Sequence, residues 1–202
     1  MSLHTSNGCK HPDSTSSSSI ETGQVISTDC FNQRNGNQGC IVQTPGNSYG
    51  KSFASSGGGV YALNWNSSGI YIWFFPRDSI PSDLHDSTPD LDGWGLPAAA
   101  YPTSSCDMSK FFRPQTLILD ITICGNLAGD AGLYPTSGCG GLCTDLVQNP
   151  RNYDNAYFEI AYIRIFERQG TSTGGSNTPG SSSSSSGRGE ECTGFGRRDG
   201  DD

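Results

Sequence analysis

Glutamate and positive charge are both scarce in this chain. Of 202 residues, 16% are charged, and the only glutamates are Glu21, Glu159, Glu167, Glu190 and Glu191. Lysine and arginine number 12 against 20 aspartates and glutamates, a net charge of −8. Binding a phosphate backbone requires a clustered basic surface, so nucleic acid is excluded as a partner. No apolar run is long enough to cross a membrane, and no membrane partner is expected. Met1 is followed by polar residues, so this sequence shows no signal peptide. No Cys-x-x-Cys pair occurs, and His4, His11 and His85 do not stand at zinc-ligand spacing with the cysteines. No metal or cofactor is expected.

Eight cysteines are present, and disulfides formed in an oxidising compartment are their better reading. Seven lie in the body and Cys192 lies near the C-terminus. Either Cys192 is a partner, or the seventh partner belongs to a segment upstream; the connectivity stays open. Glycine is abundant, at 27 residues, and the apolar runs are short. That composition suits an all-β sandwich with many loops.

Along the chain, residues 10–23 are polar and rich in Ser and Thr, and read as a surface loop. Gln24 to Asp29 predicts a short strand, and residues 32–59 read mostly as loops. Val60 to Asn66 and Ile70 to Phe75 are apolar, aromatic runs flanking a polar turn that ends at Gly69, a hairpin pattern. Pro76 has no N–H to donate and stops the ladder. Residues 76–114 carry six prolines and read as a long irregular excursion, which in compact domains is usually functional. Residues 115–123 predict a strand with Leu117, Leu119, Ile121 and Ile123 on its core face. Residues 156–167 predict the last strand, and one helical turn is expected near 144–148. From Gly170 on, Ser, Gly, Thr and Asp dominate, so the division is a domain over 1–167 and a disordered tail over 168–202.

Several motifs fall in an order seen in one family. They are Leu3-His4-Thr5 before Cys9, Asp29-Cys30, Gly39-Cys40, Asn47-Ser48-Tyr49-Gly50, the hairpin, Ile80-Pro81-Ser82-Asp83, Asp92-Gly93-Trp94-Gly95, Cys124-Gly125-Asn126-Leu127 and Asn155-Ala156-Tyr157-Phe158-Glu159. This run, over about residues 1–167, resembles the C-terminal part of the fungal members of glycoside hydrolase family 16, the laminarinase-like endo-β-1,3(4)-glucanases. The resemblance implies a concanavalin A-like β-sandwich, a jelly roll, incomplete at its N-terminus. It also implies a β-glucan partner, a secreted location and a retaining double-displacement mechanism in an intact form. A monomer is expected. The family's catalytic row is Glu-x-Asp-x-x-Glu, placed shortly before the Leu-His-Thr segment, and no glutamate of this chain lies in such a pattern. A retaining glycosidase needs two carboxyls about 5–5.5 Å apart. No catalytic residue is therefore assigned, and the chain as written is expected to be inactive. The remaining readings are a non-catalytic β-glucan-binding sandwich and a truncated product without function.

The substrate-binding candidates are His4, Trp73 and Trp94. By the resemblance, His4 follows the catalytic strand and faces the cleft; read alone, it is a polar residue at a strand end. Trp73, Trp94 and Trp65 offer rings to the apolar face of a pyranose, but Trp65 or Trp73 can equally be core. Trp94 lies in a Gly-flanked loop and is harder to explain as core. Leu127 stands where the resembled enzymes usually carry a tryptophan. Asn66-Ser67-Ser68 is an N-glycosylation acceptor sequence. Asp83, Asp86, Asp90 and Asp92 cluster in the long loop without EF-hand spacing and read as a solvated acidic loop rather than a calcium site.

Overall fold

The computed structural model describes residues 1–13, 19–44, 46–86, 88–132, 134–138 and 140–166. The tail at 168–202, with Cys192, lies outside them, as do Cys139 and Glu167. Two compact units are present, residues 1–115 and a second beginning at Thr116.

The first unit holds two three-stranded antiparallel sheets. In one, β1 (Ser2–Leu3), β2 (Gln24–Ser27) and β3 (Cys40–Gln43) lie in the order β1-β3-β2, with a register shift between Val25 and Ser27. The expected strand at Gln24 is thus present. Residues 32–59 are less loop-like than their composition suggests, because β3 and a short helix α1 (Gly50–Ser55) fall within them.

The second sheet is the hairpin of β4 (Gly59–Asn66) and β5 (Gly69–Pro76), joined by β6 (Ala99–Pro102) on the far side of β5. Only Ser67 and Ser68 separate the paired ends Asn66 and Gly69. Register decides what parity alone left open. Trp65 opposes Ile70 and Leu63 opposes Ile72 on one face, while Ala62 opposes Trp73 and Val60 opposes Phe75 on the other. Ile70 joins Val42, Ala99, Tyr101, Met108 and the cysteines Cys9, Cys30, Cys40 and Cys106 in the buried core, so both sheets feed one cluster. Trp65 lies on the core face but at the edge strand, 41% exposed and edge-on to Phe112.

β6 sits inside the excursion expected to be irregular. Its Ala-Ala-Tyr run is short, small and followed by Pro102, so nothing in it announced a strand; β5 supplies the pairing edge. The approach at its start is tight. Thr22 N donates to Pro97 O and Gly23 N to Ala98 O, and a Cβ on Gly23 would run into Val42 and the Ala98 carbonyl. After β6, Asp107 caps α2 (Met108–Phe111) by accepting from Ser109 N and Lys110 N, and these bonds hold its carboxyl below the usual range, the Ser109 hydroxyl being the largest cause.

Three disulfides are formed among the described residues, Cys9–Cys106, Cys30–Cys40 and Cys124–Cys143. The last ties the second unit, where α3 (Gly125–Ala128) and α4 (Cys143–Leu146) are single turns. α4 overlaps the helical turn expected near 144–148. The two strands expected at 115–123 and 156–167 are corrected: no ladder is assigned to either over the described residues. Leu117, Leu119, Ile121 and Ile123, expected in the core, are exposed, and Ile165 is 88% exposed. Alternation marks a face, but a strand exists through cross-strand hydrogen bonds, and no described segment supplies them here.

Candidate functional site

A polar and aromatic group of the first unit grows from the face of β5 opposite Ile70 and Ile72. Trp73 and Phe75 are two apart on a strand and so project from the same side. Pro76 ends the ladder, and the chain runs through 3₁₀ turns at Arg77–Ser79, Ser82–His85 and Leu91–Trp94. That path returns Trp94 to the face it left. Its ring meets Trp73 and Phe75 edge-to-face, each at 5.5 Å between centroids and 80° between planes.

Hydrogen bonds fix the return. Trp94 Nε1 donates to both carboxylate oxygens of Asp83, at 3.1 and 2.9 Å, and Asp90 N donates to Asp83 Oδ2 at 2.8 Å. Asp90 Oδ1 accepts from Asp92 N at 3.1 Å, and Trp73 Nε1 donates to Gly95 O at 3.0 Å. Gly95 has φ +69°, a conformation costly to a residue with a Cβ. Pro81, Ser82, Asp83, Asp90, Gly93 and Trp94 line an open cleft of about 300 Å³.

The three substrate candidates separate. Trp73 and Trp94 come together, but Trp73 is 7% exposed and underlies Trp94, which is half-buried at the cleft. His4 belongs to the other sheet. It follows β1, exposed, with Nε2 3.0 Å from Ser2 Oγ and Nδ1 3.3 Å from Asn37 Oδ1. Asn66 is exposed on the hairpin turn, its carboxamide oxygen accepting from Ser68 N at 2.7 Å. The acidic loop is not merely solvated, since Asp83 and Asp90 spend oxygens on indole and backbone donors. Among the described residues, no group of three or more His, Cys, Asp or Glu could hold a metal ion. Leu127 lies in α3; its side chain is outside the described set.

One polar site was missed. Residues 10–23 read as a surface loop, yet His11 is 3% and Glu21 7% exposed. His11 Nε2 lies 3.0 Å from Glu21 Oε1, and Glu21 Oε2 accepts from Ala100 N at 2.8 Å. His11 Nδ1 is 2.7 Å from the Pro12 carbonyl. Acceptor oxygens therefore face both ring nitrogens. Tyr101 stacks edge-on against this ring at 5.4 Å, and burial first, then the Glu21 charge, pushes its hydroxyl far above the usual phenol range. A buried pair inside a serine-rich stretch has no sequence signature, because its partner is the backbone of β6.

With the geometry in place, comparison with known proteins gives a consistent result. The description of the XgeA-like, catalytic GH16 domain matches residues 1–166. A probable glycosidase of Schizosaccharomyces pombe is 39% identical over 171 residues, covering 83% of this chain and 40% of that protein. The endo-1,3(4)-beta-glucanase XgeA of Emericella nidulans is 40% identical over 159 residues, covering 74% of this chain and 25% of that one. Laminarinase 16A of Phanerochaete chrysosporium, solved with beta-glucans in donor and acceptor sites, superposes with a TM-score of 0.70 at 38% identity, over 77% of this chain and 53% of that chain. This chain therefore spans between a quarter and about half of the lengths of these relatives. A match over residues 1–166, most of the chain, places it in glycoside hydrolase family 16, as part of an XgeA-like domain of that family.

Proposed function

We propose that this chain is the glucan-holding part of a family 16 endo-β-1,3(4)-glucanase and binds β-glucan at the Trp94 cleft without cleaving it unaided. The observation that carries the reading is the collinear match of residues 1–166 to a glucanase family, in a sequence with no Glu-x-Asp-x-x-Glu row. Trp94 supplies a ring for the C–H face of a glucosyl residue, and the unused lone pairs of Asp83 and Asp90 accept its hydroxyls. In the retaining mechanism one carboxylate attacks the anomeric carbon while a second protonates the leaving oxygen, then activates water. Glu21 cannot take either role, because His11 and Ala100 N occupy it in the buried interior.

The two three-stranded sheets are read as portions of the concanavalin A-like sandwich, and the protein as monomeric. His4 is retained as a cleft residue on the family position alone. Three disulfides among the described residues support a secreted location, where Asn66 would carry an N-glycan. The test is reducing-end release from laminarin and lichenan by the purified chain. No release is expected. Turnover that disappears when a single carboxylate of this chain is replaced would overturn the inactive reading and leave a hydrolase in its place. Glycosylation is checked separately, by the mass lost when Asn66→Gln is compared with the secreted wild type.

A further inference from the structure

We propose that Asp83 is the positioning residue of the cleft: it orients Trp94 for glucan, a role that rests on the binding reading above. The carboxylate does two things at once. Its two oxygens share the Trp94 indole N–H at 3.1 and 2.9 Å, and Oδ2 also takes the Asp90 N–H at 2.8 Å. One side chain thus ties together residues 83, 90 and 94, three of the six that line the cleft. Hydrogen bonds to an ionised acceptor are stronger and more directional than neutral ones, so this contact fixes the ring more firmly than the loop backbone could.

The remaining restraints on Trp94 are weaker in direction. Trp73 and Phe75 meet it edge-to-face, which limits tilt but leaves a tryptophan its broad, roughly two-fold χ2 torsion. Gly93 and Gly95 flank it, and a Cβ at either would meet nothing within 4 Å, so local packing does not immobilise the backbone. Trp73 Nε1 holds Gly95 O, not the ring itself. Removing Asp83 therefore frees the ring to rotate while leaving the aromatic layer beneath it in place. Stacking on a pyranose depends on a fixed plane; a ring that must be ordered on binding gives up affinity for that ordering. The cluster of loop aspartates is accounted for in the same way, since Asp90 accepts from Asp92 N and receives its own restraint from Asp83.

The experiment uses the full chain, with laminarin as the probe in affinity gel electrophoresis, on wild type, Asp83→Ala, Asp83→Asn, Trp94→Ala, Trp94→Phe and the Asp83→Ala/Trp94→Phe double variant. Near-UV circular dichroism is recorded on each without glucan. Asp83→Ala is expected to weaken laminarin binding about tenfold, within the range of a lost aromatic contact, and to diminish the tryptophan near-UV band. Asp83→Asn keeps one acceptor oxygen and should fall between, which also serves if the alanine variant does not fold. In the Trp94→Phe background there is no indole N–H to hold, so Asp83→Ala should cost clearly less there than it does in the wild type. Wild-type affinity in Asp83→Ala, or a loss that persists undiminished beside Trp94→Phe, overturns the proposal. If Trp94→Ala binds laminarin as wild type does, the cleft reading fails by itself. Positioning is then decided by the near-UV band: its loss in Asp83→Ala keeps Asp83 as the residue that holds Trp94, and an unchanged band overturns that too.

Discussion

Replacing Glu21 by alanine should be among the most damaging single changes in the first unit, and the reason can be worked through atom by atom. The side chain is buried and makes two kinds of contact, with the His11 ring and with the Ala100 N–H of β6. Alanine leaves that N–H without an acceptor, at a cost of about 1–3 kcal/mol. It also breaks the buried His11–Glu21 pair from one side, and such a loss costs about 3–5 kcal/mol in total. Against a net stability of about 5–15 kcal/mol, that is a large fraction. For a unit of this size the melting temperature should fall on the order of 10–20 °C. His11→Ala should cost less, since Glu21 keeps its bond to Ala100 N. The double variant should cost much less than the two single changes added together, because each removes a partner the other needs. Thermal unfolding followed by near-UV circular dichroism, with Tyr101 beside the pair as an internal reporter, reads all three variants. A Glu21→Ala shift below about 1 kcal/mol, the range of an exposed ion pair, would show that residues 10–23 are the solvated loop their composition suggests.

Other outcomes follow from the core. The folded state holds the Tyr101 proton at a pH where the unfolded chain releases it, so this contribution to stability is intact below about pH 10 and is lost as pH rises beyond it. A spectrophotometric tyrosine titration should show one phenol that ionises only as the near-UV signal collapses; a normal titration of every tyrosine would contradict the burial. Cys9–Cys106 closes a sequence separation of 97 residues, and Cys9→Ala with Cys106→Ala should remove about 2–5 kcal/mol in denaturant unfolding. An unchanged midpoint would mean the bridge is not formed. Gly69 has φ +152°, and a Cβ there would strike Tyr101 O and Pro102 Cα, so Gly69→Ala should part β5 from β6 and speed amide exchange in Ala99–Pro102. Unaltered protection of those amides would contradict the close approach.

The legible parts of the fold were those written in local chemistry. The hairpin announced itself through two aromatic runs, a polar turn and a proline stop, and its register has Asn66 opposite Gly69 as that pattern requires. Trp94 stood out because a large ring between glycines had no local reason to be there. What could not be read depended on distant partners. β6 is a strand only because β5 lends it an edge, and His11 and Glu21 are buried only because Tyr101 and Ala100 N close over them. The opposite failure comes from residues 115–123 and 156–166, whose alternation is clear but whose ladder is missing among the described residues. Asp83 was grouped with three other aspartates as surface charge, since no sequence pattern signals a carboxylate committed to an indole N–H. Family order, by contrast, was visible in short motifs and matches the domain found over residues 1–166.

Retardation of the chain in a native gel containing laminarin, wild type against Trp94→Ala, bears most directly on the central claim. The account predicts that laminarin slows the wild-type chain and that Trp94→Ala weakens the effect about tenfold or more, while the variant still unfolds cooperatively. Equal mobility of the two proteins at every laminarin concentration would contradict the claim that this face of β5 holds glucan.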